Sequence, residues 1–179
     1  MPLRSDWSAD RCPIARSLDV VGDPWVLLIL RSAFQGTTRF DDFRRSLGVA
    51  DNVLSRRLGG MVDAGLLVRR PYRGGQRTHQ EYLLTEAGAD LLPVLNALTL
   101  WGEKHTRRPQ PDAIMTIVHA GCGAETHSAD RCTACGSVLV ADDVTWHKAW
   151  HTDAPDVALV GAADIPDPAR VGPPIPFGR

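Results

Sequence analysis

The chain has 179 residues, 44% of them hydrophobic, enough for one full domain with an appended unit. Its longest apolar run, Trp25 to Leu30, falls far short of the roughly 18 residues that span a bilayer. The opening MPLRSDWSAD lacks the apolar stretch of a secretory leader, so the expectation is a cytoplasmic protein with no membrane partner. The net charge of −1 hides an asymmetry: residues 1–108 hold 16 Lys and Arg against 12 Asp and Glu, and residues 109–179 hold 4 against 9. Between Arg39 and Gln80 there are 9 Arg and only 4 acids, the footprint of a polyanionic partner.

Residues 1–11 read as a loose N-terminal arm. Cys12-Pro13 predicts a first helix, because proline suits the first helical position. Ile14, Leu18 and Val21 give it an apolar stripe, and Gly22 stops it. Asp23-Pro24 starts a second helix with a capping oxygen followed by proline. Trp25 to Leu30 are apolar on every side, so this helix should be central. Thr37 to Phe40 are expected to form a short strand. Asp41 is expected to cap a third helix, with Phe40, Phe43 and Leu47 inward and Gly48 ending it.

After a Val49-Ala50 turn, Asp51 is expected to cap a fourth helix. Leu54, Leu58, Met61 and Val62 make its buried face. Asn52, Ser55, Arg56 and Gly59 are left outward, with Arg57 at the edge. Leu66–Arg70 and Gln80–Leu84 read as two strands around a flexible basic loop, residues 71–79, carrying Arg73 and Arg77. Thr85 is expected to cap one long helix through His105, kinked at Pro93. Its wide stripe of Leu91, Leu92, Val94, Leu95, Leu98 and Trp101 suits a homodimer seam or burial against its own domain.

A helix, a turn, a second helix and a β-wing make a reader of double-stranded DNA. Asn52, Ser55 and Arg56 supply donors and acceptors for base edges. Arg39, Arg57, Arg73 and Arg77 are better placed for phosphates or the minor groove. Arg57 has an alternative role, an ion pair with Asp63 or another acid.

Residues 107–113 read as a linker. Residues 114–150 then hold two copies of one pattern, His119-x-x-Cys122-Gly and Cys132-x-x-Cys135-Gly. Three thiolates and an imidazole make a closed tetrahedral set, so the expectation is a small β zinc ribbon with structural Zn2+. His127 is the alternative fourth ligand. Ile114–Val118, Ser137–Val140 and Val144–Trp146 read as its strands, and His147 and His151 as surface residues. The glutamate of H-x-E and the proline of P-C-x-x-C, which zinc deaminases need, are both missing. No phosphate loop, dinucleotide fingerprint or nucleophile elbow is present, so no catalytic residue is assigned. Residues 151–179 read as a Pro-rich tail, extended or disordered.

Several segments together resemble the HxlR-type winged-helix regulators of bacteria, which are MarR-like. They are Cys12-Pro13-Ile14, Gly22-Asp23-Pro24-Trp25, Leu28-Ile29-Leu30-Arg31, Arg39-Phe40, Leu54-Ser55-Arg56-Arg57-Leu58, Tyr82-Leu83-Leu84-Thr85, Leu92-Pro93-Val94-Leu95 and Trp101-Gly102. The likeness covers residues 12–105, within a domain read as 12–106. It implies a mainly α fold with small β elements and a long C-terminal dimerisation helix. It also implies a homodimeric regulator on a pseudo-palindromic operator; a repressor is the favoured expectation, while the sequence itself names neither the sign of regulation nor the effector. Family members commonly carry Gly-Lys where this chain has Asp23-Pro24, a change expected to alter a helix start and not the fold. Cys12 stands at a helix N-terminus between Arg11 and Arg16, where thiolate is favoured; the resemblance implies a sensor of oxidants or electrophiles there. The competing reading is a protein-interaction adaptor that uses the ribbon and lacks specific DNA binding.

Overall fold

The computed structural model describes residues 6–74 and 77–163. Helix α1 (Pro13–Val21) begins after Cys12 and α2 (Pro24–Phe34) after Asp23, each with proline in its first turn. Asp23 caps α2 by accepting from the Trp25 N–H at 2.9 Å. The arm before α1 is less loose than expected, because the Trp7 N–H donates to Asp19 at 2.7 Å.

The starts of α3 (Phe40–Leu47) and α4 (Asp51–Asp63) correct two expectations. The cap positions are Arg39 and Ala50, with no side-chain cap bond at either. Asp41 and Asp51 instead lie inside the first turns, where their charge still favours the positive end of the helix. Gly48 ends α3 in the left-handed region, at φ 61°. Leu54, Leu58 and Met61 of α4 are buried with Phe43, Val26, Ile29, Leu30, Ala33 and Phe34, which makes α2 the centre of this core.

Strands β1 (Leu67–Gly74) and β2 (Arg77–Leu84) pair antiparallel, Leu67 against Leu84 and Gly74 against Arg77. The wing is therefore longer, and its loop shorter, than the sequence suggested. Pro71 stands inside β1 opposite Gln80, tolerable on a two-stranded ribbon with a free edge. The strand expected at Thr37–Phe40 reduces to one bridge, Arg39 to Glu81, and a bond from Tyr82 N–H to Thr38 O.

The single long C-terminal helix is two. Thr85 caps the short α5 (Glu86–Ala89), accepting from Gly88 N–H at 3.1 Å and donating to Gly65 O at 2.6 Å. The chain breaks at Asp90-Leu91, and α6 (Leu92–His105) restarts with Pro93 in its first turn. Proline has no N–H to continue α5 but suits a new start. Gly88 is held close: a Cβ there would lie 2.2 Å from Leu66 O.

The ribbon is a four-stranded antiparallel sheet in the order β4-β3-β5-β6: β3 (Met115–His119), β4 (Ala124–Thr126), β5 (Val144–Lys148) and β6 (Asp156–Ala158). The strand expected at Ser137–Val140 is absent, leaving one bridge from Arg131 to Val138. Residues 156–163 correct the reading of a tail that begins at 151. Beyond β6, Val160 N–H donates to Phe34 O and Ala163 N–H to Leu84 O. The rest of that tail, residues 164–179, lies outside the described residues. The ribbon is thus docked on the helical domain. Trp146 packs on Phe34 at 6.3 Å between ring centroids. Buried Asn96 of α6 accepts from the Trp146 indole N–H and donates to Ala129 O, each at 3.0 Å. Glu103 reaches past the linker to accept from Met115 N–H at 2.8 Å. No helix among the described residues is long and apolar enough to cross a membrane.

Candidate nucleic-acid interface and metal centre

Helix α4 turns Leu54 and Leu58 inward, and the 3.6-residue period therefore places Asn52, Ser55 and Arg56 outward. All three are exposed. Arg56 makes no ion pair among the described residues, whereas its neighbours are committed: Arg44 to Asp41 and Asp51, Arg45 to Asp42, and Arg70 to Glu81. The local excess of arginine is thereby reduced to a few free guanidinium groups.

Arg57 leaves the interface. Its guanidinium pairs with Asp23, the residue that caps α2, and both side chains are less than one-third exposed. The ion-pair alternative is the one observed, with a different acid from Asp63. Asp23 therefore does more than start a helix: one oxygen caps α2 and the other holds α4.

On the wing, Arg73 is exposed opposite Thr78. Arg77 opens β2, but its side chain lies outside the described residues. Arg39 is exposed at the start of α3, its guanidinium 4.7 Å from the centre of the Tyr72 ring, and Tyr72 stacks on His79 at 5.6 Å. Arg39, Tyr72 and His79 line an open groove of about 420 Å³ between α3 and the wing, with Asp42, Arg45 and Tyr82. Sequence reading missed Tyr72 and His79, although their placement on a basic wing was a usable signal.

Exposed apolar side chains gather on two helices: Ile14 and Leu18 on α1, and Val94, Leu98 and Trp101 on α6. Leu92 and Leu95 of the same α6 stripe are buried in the domain. The stripe is thus part buried in its own domain and part exposed.

In the ribbon, His119, Cys122, Cys132 and Cys135 bring one nitrogen and three sulfurs within 4.8 Å of one another. His119 Nδ1 lies 3.2 Å from Cys122 Sγ and 3.3 Å from Cys135 Sγ, and Cys122 Sγ lies 3.6 Å from Cys132 Sγ. Tetrahedral bonds of about 2.3 Å to sulfur would set thiolates about 3.8 Å apart, so the set is sized for a metal ion. Each knuckle closes on glycine: Gly123 and Gly136 have φ of 69° and 79° and donate to His119 O and Cys132 O. His127 is exposed and outside the cluster.

Asp143, which the sequence reading did not identify, stands behind His119 with its carboxylate 2.6 Å from Nε2. A carboxylate there fixes the ring so that Nδ1 keeps its lone pair for a metal. Burial pulls His119 down, but the Asp143 hydrogen bond and charge, with the nearby cysteines, leave it above the usual histidine range. Hydrogen bonds from the Ser137 hydroxyl and backbone N–H bring Cys135 down to about 6. For Cys122 the Ala124 N–H acts downward, but burial and the neighbouring thiols leave it raised.

Cys12 is exposed, and its N–H donates to Asp10 at 2.7 Å. Arg16 is turned away to the carbonyls of Asp10 and Arg11.

Residues 20–110 match the HxlR-like helix-turn-helix family. An uncharacterized HTH-type transcriptional regulator of Mycobacterium tuberculosis, Rv3095, is 41% identical over 132 residues, covering 74% of this chain and 82% of that one. YdeP of Bacillus subtilis, also an uncharacterized HTH-type transcriptional regulator, is 32% identical over 110 residues, 59% of this chain and 85% of its own. The crystal structure of PA1607, a candidate transcription factor, superposes with a TM-score of 0.63 at 40% identity, over 78% of this chain and 96% of that one. The oxidized form of the redox regulator HypR gives 0.50 at 30% identity, over 54% and 100%. The Rv3095 and PA1607 matches are longer than the chain up to Ala113, so both run into the ribbon.

Proposed function

Because this chain belongs to the HxlR-like helix-turn-helix family of DNA-binding transcriptional regulators and is no enzyme, we propose that it works in the cytoplasm as a homodimeric repressor on a pseudo-palindromic operator. One observation carries this reading: Asn52, Ser55 and Arg56 stand exposed at the N-terminal half of α4, while the surrounding arginines are neutralised. That end of the second helix enters the major groove in this motif. Arg56 is the guanine reader and Asn52 the adenine reader. Arg73 and Arg77 of the wing, with Arg39, hold phosphates or the flanking minor groove.

Two-fold symmetry follows from α1 and α6. Pairing Ile14, Leu18, Val94, Leu98 and Trp101 with a second copy would cover the exposed apolar stripe and place two α4 helices on successive half-sites. His119, Cys122, Cys132 and Cys135 hold structural Zn2+, which closes the ribbon and supplies no chemistry beyond that. Cys12 responds to oxidants or electrophiles, a reading supported by its exposure at a helix start and by similarity to HypR.

Fluorescence anisotropy with DNA from upstream of the protein's own gene, at two salt concentrations, tests the reading. Specific binding that weakens steeply with salt is expected, and equal affinity for scrambled DNA overturns it. Cys12→Ser should bind DNA normally and lose its response to diamide. A reporter behind the same upstream DNA should rise when the gene is deleted.

A further inference from the structure

The seam between α2 and the ribbon buries positive charge without a negative partner. Lys148, the last residue of β5, is only 7% exposed. Its Nζ donates to Gln35 Oε1, the C-cap of α2, at 2.9 Å. The other half of that amide, Gln35 Nε2, is buried with no hydrogen-bond partner among the described residues. Arg31, one helical turn earlier on α2, is partly buried and forms no ion pair or hydrogen bond among the described residues. Burial first, and then the charge of Arg31, hold the Lys148 ammonium below the usual lysine range, and burial lowers Arg31 from the usual arginine range. Three acids of the ribbon are engaged elsewhere: Asp142 with Gly161 N–H, Asp143 with His119, and Asp156 with His147.

An unpaired buried cation is costly, two near each other more so, and an unpartnered amide N–H adds to the cost. An anion that accepts from all three groups removes these costs at once. A carboxylate suits the donor set: a guanidinium fork, an ammonium and an amide N–H belong to one seam, and a carboxylate has two oxygens with about four acceptor sites.

We propose that Arg31, Gln35 and Lys148 form an anion site at the junction of the DNA-reading domain and the ribbon, and that it takes a carboxylate. The carboxylate comes from a small organic acid in solution. The proposal is independent of DNA binding and of the metal.

Thermal melting of the full-length protein in sodium acetate and in sodium benzoate, against sodium chloride at equal ionic strength, tests it. The wild type should gain about 3 °C with a carboxylate near tenfold above its dissociation constant. Lys148→Met and Arg31→Met, which keep the aliphatic stems, should melt at or above the wild type in chloride and show no carboxylate shift. If the wild type does not shift, or if Lys148→Met keeps the full shift, the proposal is wrong.

Discussion

The DNA-reading domain and the ribbon solve the same problem with different materials. In the first, α2 carries Ile29, Leu30, Ala33 and Phe34 against Phe43, Leu54, Leu58 and Leu67, a core of apolar side chains drawn from many elements. In the second, the fully enclosed apolar side chains are few, chiefly Ile117, Val144 and Trp146, and the knuckle end closes around four ligand atoms. A unit this small cannot exclude enough apolar surface to fold alone, and such units depend on a staple. At one end the ribbon has the His119, Cys122, Cys132 and Cys135 cluster, which could hold a metal ion, and at the other its docking on α2 and α6.

Removing a ligand should have the largest effect. Structural zinc contributes on the order of 10 kcal/mol in small domains, so Cys132→Ser, or a chelator on the wild type, should unfold the ribbon. Trp146 fluorescence should shift to that of an exposed indole while helical circular dichroism persists. Unchanged Trp146 emission would mean that packing alone holds the ribbon. Acidification acts in the same direction. Hydrogen bonds bring Cys135 down to about 6 without metal, and a bound cation would hold its thiolate lower still, so metal should leave only below that value as protons compete for the ligands, measured by a chromogenic chelator.

The opposite experiment targets the apolar core. Leu58→Ala removes a side chain with no solvent exposure and should cost about 2–5 kcal/mol. The loss should appear as a lower Tm of the helical signal, with metal content still stoichiometric. Between the two units, Asn96→Ala strands the Trp146 indole N–H and the Ala129 carbonyl. It should cost about 1–3 kcal/mol and separate a single melting transition into two. Asp143→Asn weakens the charge behind His119 and should lower metal affinity about 10- to 100-fold, read by competition with a chelator of known affinity.

Local chemistry was legible from sequence where a short segment decides the outcome. The Cys12-Pro13 and Asp23-Pro24 starts, the left-handed Gly48, Gly123 and Gly136, and the buried face of α4 all follow from neighbours within a few positions. The ligand set was legible for the same reason, because each knuckle is a five-residue pattern. What escaped depends on contacts distant in sequence. Arg57 finds Asp23, 34 positions away, and Asn96 finds Trp146 at a separation of 50. Residues 156–163 become ordered structure only because β5, Phe34 and Leu84 offer them partners. The break between α5 and α6 was visible as Pro93, yet kink and restart differ only in whether the residues before proline stay helical, which tertiary packing decides.

The central claim is that the outward residues of α4 read sequence while the wing only holds the backbone. Anisotropy titrations of wild type, Arg56→Ala and Arg73→Ala against upstream and scrambled DNA test it most directly. Arg56→Ala should lose about 10- to 100-fold on the upstream site, equivalent to roughly 1–3 kcal/mol, and little on scrambled DNA. Arg73→Ala should weaken both alike and lower the salt slope by about one. Equal loss on both DNAs for Arg56→Ala, or no loss at all, would contradict the account.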